Sequence, residues 1–246
     1  VAILARKHVI VEKPAVSRPE EWQELVKLAA EHQVYIFEAA RNYHEAAFAV
    51  IQDFLKDKKI WGANFTYAKY SSKMGALLTG QEPNVFSAKF SGGALMDLGV
   101  YTLYAAVRLF GAPQNTCYTA QQLPNSVDLN GSGSLIYPDF QVRIQAGKNI
   151  HSQLPAEIYT DQGTLTLDGI EFIRSAIFQK LNGETESLAI HQAEHQMLEE
   201  AQAFARVLKG DRKELYSDYL QAATAVHECL FAMRKDAGIR FEVDHD

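Results

Sequence analysis

The seven residues His8-Val9-Ile10-Val11-Glu12-Lys13-Pro14 constrain the fold of this chain more than any others. Val9 to Val11 is an apolar β-branched run that reads as a buried strand, and Pro14, which has no backbone N–H to donate, ends it. Ser17, with Glu20 three residues later, reads as a capping-box entry into a helix. Trp22, Leu25, Val26, Leu28 and Ala29 then recur at helical spacing between Pro19 and His32, and Val34 to Phe37 is a second short buried strand. Strand, charged turn, helix and strand make a parallel βαβ unit, half of a nucleotide-binding fold. Val1 is not a Met, which points to residues upstream or to processing.

Beyond this unit the patterning predicts a larger α+β layer. Ala46 to Leu55 has helical periodicity, and the solvated Lys56 to Lys59 segment separates it from a strand over 63–70, in which Phe65 and Tyr67 face one way. Residues 71–91 are polar, hold Gly75, Gly80 and Pro83, and read as a long loop. Short alternating segments at 115–122, 132–137, 140–146, 156–160 and 163–167 read as an antiparallel meander, with turn signals at Asn130-Gly131, Pro138-Asp139 and Asp161-Gln162-Gly163. Helical periodicity returns over 189–208 and 217–235, with Gly210 and Gly238 as stops.

Composition excludes several function classes. With 47% hydrophobic residues the 246-residue chain can bury a substantial core, and nothing in it predicts disorder. A net charge of -6 without a long basic run argues against a nucleic-acid groove. Cys117 and Cys229 are the only cysteines, so neither a disulfide framework nor a zinc knuckle is expected, and a reducing cytoplasm fits. No apolar run approaches the roughly 18 residues that would span a bilayer, so no membrane partner is expected.

The strongest candidate for chemistry is Gly92-Gly93-Ala94-Leu95-Met96-Asp97-Leu98-Gly99-Val100-Tyr101. Two glycines open a helix, and Asp97 and Tyr101, four apart, share one face of it. A tyrosine beside a carboxylate and a cation is a proton-transfer device: its unperturbed pKa is about 10, and a nearby lysine lowers it. Read alone, the segment equally describes a helix start packed close to a neighbour, with Asp97 as a local hydrogen-bond partner and Tyr101 half-buried. His191-Gln192-Ala193-Glu194-His195 matches an inverted zinc-protease motif, but the pattern lacks a third ligand and fits the polar first turn of an amphipathic helix, so no metal is expected.

Taken together, Lys-His-Val-Ile-Val-Glu-Lys-Pro at 7–14 and Gly-Gly-Ala-Leu-Met-Asp-Leu-Gly-Val-Tyr at 92–101 resemble the glucose-fructose oxidoreductase / inositol dehydrogenase (Gfo/Idh/MocA) family in order and spacing. The resemblance extends to Glu38-Ala39-Ala40, Trp61-Gly62 and the strand-turn-strand of 158–167, and Tyr rather than His at 101 is similar to the dihydrodiol dehydrogenase and glucose-fructose oxidoreductase branch. It implies an NAD- or NADP-dependent oxidoreductase of sugars, polyols or related alcohols and ketones. The general acid/base would be Tyr101, the polarising cation Lys13, and the orienting or hydroxyl-binding group Asp97. Glu12, Lys13 and Pro14 would form the cofactor-side turn, with a cis Lys13-Pro14 bond. The Arg41-Asn42-Tyr43-His44-Glu45 segment departs from the commoner Arg-aromatic-Pro pattern, and Arg41 and His44 either line the substrate pocket or simply connect strand to helix.

The Gly-x-Gly-x-x-Gly/Ala phosphate turn with which such relatives begin does not occur in this sequence, and Gly131-Ser132-Gly133, its nearest imitation, has no helix behind it. The expected architecture is therefore α+β: a C-terminal open, mostly antiparallel sheet with flanking helices over 41–246, preceded at 1–40 by a βαβ remnant of a dinucleotide-binding domain. The open sheet implies a homo-oligomer. A non-catalytic binding or assembly module derived from the same family is the alternative.

Overall fold

A computed structural model of the chain describes residues 1–210 and 214–245. Strand β1 (Val9–Glu12), helix α1 (Pro19–Glu31) and strand β2 (Ile36–Ala39) form the expected βαβ unit, with β1 parallel to β2 and Val9 paired with Ile36. The apolar stripe of α1 buries Trp22 and Ala29 in a cluster with Ile3, Val34, Ile36 and Ala223. Helix entry lies one residue later than Ser17 and Glu20 predict. Pro19 takes the first helical position, where its missing N–H is no loss, which makes Arg18 the N-cap. It is Glu21 whose carboxylate accepts the Ser17 and Arg18 N–H groups, at 3.0 and 2.9 Å.

The rest of the chain is a second, larger layer. After α2 (Ala47–Leu55) comes β3 (Ile60–Ala68), then α3 (Met74–Leu78) and α4 (Val100–Phe110). Strands β4 (Asn115–Gln122), β5 (Asp128–Ile136), β6 (Gln141–Gly147), β7 (Ala156–Thr160), β8 (Gly163–Leu167), β9 (Ala176–Lys180) and β10 (Thr185–Ser187) come next, and α5 (Leu198–Lys209) and α6 (Glu214–Asp236) complete the layer. The strands build one eight-stranded sheet among the described residues, ordered β10-β9-β8-β7-β3-β6-β5-β4. It is not a plain meander. β3 sits in its middle, antiparallel to β7 and parallel to β6, so the chain enters the sheet at the centre and fills both sides later.

One sheet face carries the core: Phe65, Ile144, Ile158 and Leu165 pack with Phe48, Ile51, Leu103 and Val226 from the helices. Each such side chain contributes about 1.5–3 kcal/mol on leaving water. Phe65 and Tyr67 share this face, Phe65 fully buried and Tyr67 half-buried.

Several local expectations give way to packing. Asn130-Gly131 is not a turn but lies within β5, paired with β4 and β6, because a Cβ at Gly131 would strike the Tyr118 ring that crosses it. The chain reverses instead at 123–127, where the Leu123 N–H donates to the Val127 carbonyl at 2.8 Å. The 71–91 segment is not a plain loop: it contains α3 and short 3₁₀ turns and buries Met74 and Phe86. The helix expected from Ala189 begins only at Leu198, so His191 and His195 lie in irregular chain and the helical face a metal motif would need does not form. Strands β9 and β10 extend the sheet beyond the expected meander; β10 is exposed throughout and has no periodic signal. Contrary to the expectation from apolar runs, the helical stretch Ala88–Phe110 is by length and hydropathy able to cross a membrane, because a few polar residues interrupt an otherwise apolar segment; it is mostly buried inside the fold.

Candidate active site

Two structural devices aim the site. A single π-helical turn, Leu95–Gly99, carries Asp97 and runs directly into α4, whose second residue is Tyr101. The turn is held from the sheet by Asp128 at the start of β5, whose buried carboxylate accepts the Leu95 N–H at 2.8 Å and the Tyr118 hydroxyl at 3.0 Å. Gly93 makes room for it: its φ of +124° lies outside the usual range of L side chains, and a Cβ there would collide with the Asp128 carboxylate.

Lys13, at the end of β1, reaches this helix start. Its ammonium donates to the Asp97 main-chain oxygen at 2.7 Å and to Asp97 Oδ1 at 3.1 Å, and lies 4.5 Å from the centroid of the Tyr101 ring. Both hydrogen bonds go to Asp97, and Tyr101 is met through its ring face. The Lys13–Pro14 peptide bond is cis, and Glu12 is exposed at the strand end.

A second ammonium, absent from the sequence-based expectations, completes the cluster. Lys148 follows β6 and pairs with Asp97 Oδ2. The side chains of Lys13 and Lys148 are 11% and 5% exposed, against 39% for Asp97, so the carboxylate faces outward and the cations lie behind it. Burial alone would raise the Asp97 pKa, but the charges and hydrogen bonds of the two lysines outweigh it and hold the carboxyl below its ordinary value. The signal for Lys148 was in the alternation: it continues the inward phase of Val142, Ile144 and Ala146, and a charge on the core face of a strand requires a partner.

Around Tyr101, Tyr67 packs edge-on at 5.3 Å between centroids, and the Arg41 guanidinium carbon lies 5.2 Å from the ring centroid. Burial, helped by Glu171, pushes the Tyr67 hydroxyl up to about 12, so it stays protonated. Arg41 donates to the Glu171 main-chain oxygen at 2.8 Å, Asn42 to the Tyr101 main-chain oxygen at 2.9 Å, and the Ile173 N–H donates to Glu45 at 2.9 Å. The 41–45 segment thus clasps the 170–173 loop against α4. His44 is not brought to this cluster. Its ring packs edge-on to Tyr43, Phe204 and Tyr219, and burial, with Arg108 nearby, lowers its pKa to about 3. The helical turn of 41–44 directs it toward α5 and α6, which spacing alone does not reveal.

A cavity of about 520 Å³ lined by Arg18, Phe231, Arg234, Lys235 and Arg240 shares no residue with the cluster; convergent chemistry, not cavity size, marks the site. Among the described residues no group of three or more His, Cys, Asp or Glu side chains is placed to hold a metal ion.

Lys13 stands at the carboxyl end of parallel strand β1, on the side where dinucleotide-binding sheets open their crevice, and meets a carboxylate and a tyrosine ring there. Residues 1–40 match the NAD-binding Rossmann fold of the GFO/IDH/MocA oxidoreductase family, and residues 59–166 match the family's C-terminal domain. The chain is 30% identical over 239 residues to the scyllo-inositol 2-dehydrogenase (NADP(+)) IolU of Bacillus subtilis, covering 97% of this chain and 73% of that protein. It is 32% identical over 238 residues to the uncharacterized oxidoreductase YgjR of Escherichia coli, covering 96% and 72%. Its fold matches that of KijD10, a 3-ketoreductase from Actinomadura kijaniata solved with NADP and TDP-benzene, with a TM-score of 0.78 at 20% identity over 96% of this chain and 72% of that one. The chain belongs to the Gfo/Idh/MocA family of oxidoreductases.

The residues present fit the nicotinamide end of such a cofactor. Lys13 is half-buried at the strand end, and two of its three N–H groups are engaged by Asp97, which leaves the third for a ligand oxygen. The glycine-rich turn that would cradle a pyrophosphate is not among the 246 residues.

Proposed function

We propose that this chain carries the acid/base and substrate-binding portion of an NAD- or NADP-dependent oxidoreductase acting on a sugar, polyol or related alcohol or ketone. The observation that carries the reading is the convergence of Lys13, Asp97 and Tyr101, from segments far apart in sequence, on one open surface. The nicotinamide, when bound, supplies or accepts the hydride. Tyr101 Oη takes the proton of the reacting hydroxyl during oxidation and returns it to the carbonyl oxygen during reduction. Lys13 places its free N–H on that oxygen and stabilises the negative charge that develops there. Asp97, held ionised by two lysines, accepts a hydrogen bond from a substrate hydroxyl and fixes its orientation. Arg41 walls the pocket beside Tyr101, and Glu12 and Pro14 shape the turn that presents Lys13.

On this reading residues 1–40 belong to the dinucleotide-binding domain and 41–246 form the substrate-binding and oligomerisation domain. The outward sheet face, where Trp61, Tyr159 and Ile177 are exposed, pairs subunits into a homo-oligomer, and charges placed there yield monomers in light scattering. A cytoplasmic location fits two cysteines that are both free. The deciding experiment is Tyr101→Phe, which keeps the ring contacts and removes only the hydroxyl. Turnover should fall by about 10²–10⁴ with cofactor affinity unchanged; a loss under threefold would remove Tyr101 from the acid/base role.

A further inference from the structure

Glu38 is a buried carboxylate that pairs with no arginine or lysine among the described residues. Every residue of β2 is buried, and the Glu38 side chain is 2% exposed. A carboxylate so placed must be satisfied by donors, and those it finds come from three separate elements. Its Oε1 accepts the Ala15 N–H at 2.9 Å, immediately after the Lys13-Pro14 turn. Its Oε2 accepts the Tyr104 hydroxyl at 2.5 Å and faces His227 Nε2 at 2.9 Å. A carboxylate offers only lone pairs, so the imidazole nitrogen is the donor. Tyr104 stands three residues beyond Tyr101 on α4, and His227 belongs to α6, where its ring packs 5.5 Å from that of Trp22.

Lys13 comes from the βαβ unit and Asp97 and Tyr101 from the larger layer, so the geometry of the site depends on how these two parts are joined. Glu38 is the joint nearest the lysine. We propose that Glu38 is a positioning residue which, anchored by Tyr104 and His227, holds the turn bearing Lys13 in register with Asp97 and Tyr101. Lys13 is a long flexible side chain, and a displacement of about 1 Å at such a site costs on the order of 10²-fold in rate.

The test is Glu38→Gln, nearly isosteric but with one acceptor oxygen in place of two. In either amide orientation an NH₂ meets a former donor, Ala15 N–H on one side or the Tyr104 and His227 donors on the other. The first readout needs no cofactor: acylation of amines by acetic anhydride, with the labelling rates of Lys13 and Lys148 compared by mass spectrometry. Lys148 is the internal reference because it pairs with the same Asp97 yet stands at the end of β6, away from Glu38. The variant should raise the Lys13 to Lys148 ratio several-fold, and in the cofactor-loaded full-length protein it should lower kcat by about 10–100-fold with the apparent cofactor KM within about twofold. A variant that melts earlier but keeps the ratio unchanged overturns the proposal and leaves Glu38 a purely structural group. If Glu38→Gln does not fold, Tyr104→Phe and His227→Leu keep the carboxylate and remove one donor each; a raised ratio supports the proposal and an unchanged one overturns it. The kinetic arm rests on Lys13 acting at the site and the labelling arm does not, so a raised ratio with undiminished kcat supports the positioning role and removes Lys13 from the chemistry.

Discussion

Lys13 grips Asp97 twice, through the main-chain oxygen at 2.7 Å and through Oδ1 at 3.1 Å, across 84 positions of sequence. The same ammonium therefore fixes both the backbone of the π-helical turn and the direction of its carboxylate. Lys148 pairs with the other carboxylate oxygen from the far side, so Asp97 keeps one cation when either lysine is removed.

Lys13→Met should accordingly cut turnover by about 10²–10³, the usual loss for one electrostatic donor, while circular dichroism stays unchanged. Lys148→Met leaves both Lys13 bonds in place and should cost less. Equal losses in kcat from the two variants would contradict the assignment of Lys13 as the group that meets the reacting oxygen.

Asp97 titrates below its ordinary 3.8 because the two lysines outweigh the effect of its burial. A depressed folded pKa contributes stability that is fully present above the unfolded value and is lost as pH falls through the folded one. The Tm difference between the unaltered protein and Asp97→Asn should thus be constant above about pH 5 and shrink below about pH 4. A difference that instead grew under acid would contradict the lysine pairing.

Glu45 runs the other way. Burial raises its pKa from 4.5 to about 8, against the opposing pull of the Ile173 N–H and Arg41, so the folded state holds its proton. Stability from this group is full below pH 4.5 and is lost as pH rises towards 8. Glu45→Gln keeps an acceptor for Ile173 and cannot ionise. In thermal melts its Tm should gain on that of the unaltered protein between about pH 5 and 8, as the stability difference grows by at most about 1.4 kcal/mol per pH unit. Parallel pH profiles would show that Glu45 ionises normally.

Gly93 is the backbone position on which the site's aim depends. Gly93→Ala forces a side chain into a φ of +124° and against Asp128, which caps the π-helical turn at Leu95. The expected loss is about 2–4 kcal/mol, read as a fall in Tm of roughly 5–15 °C. Melting within about 2 °C of the unaltered protein would mean that the turn is not held this way.

Much of the fold and site was legible in the residues. The β-branched run before Pro14, the apolar stripe of α1 and the Asp97/Tyr101 spacing are patterns confined to a few positions, and the structure realises each as a strand, a helix and a shared face. Local signals misled where a tertiary neighbour outweighed them. Asn130-Gly131 has turn chemistry, yet the Tyr118 ring needs the bare glycine within a strand. His44 follows Arg41 by one helical turn, yet an aromatic pocket between α5 and α6 takes its ring.

The sequence by itself therefore determined the elements whose causes are local: the βαβ unit, the alternating strands, and the helix start carrying a carboxylate and a tyrosine. Only the tertiary structure decided the rest. It placed β3 at the centre of the sheet, set Lys148 behind Asp97, capped the π-helical turn with Asp128 and joined the lysine's turn to two helices through Glu38. The reason is physical: each of these is a polar or pairing demand of a buried group, met by whichever donor or strand the fold brings within about 3 Å, and sequence distance carries no record of that choice.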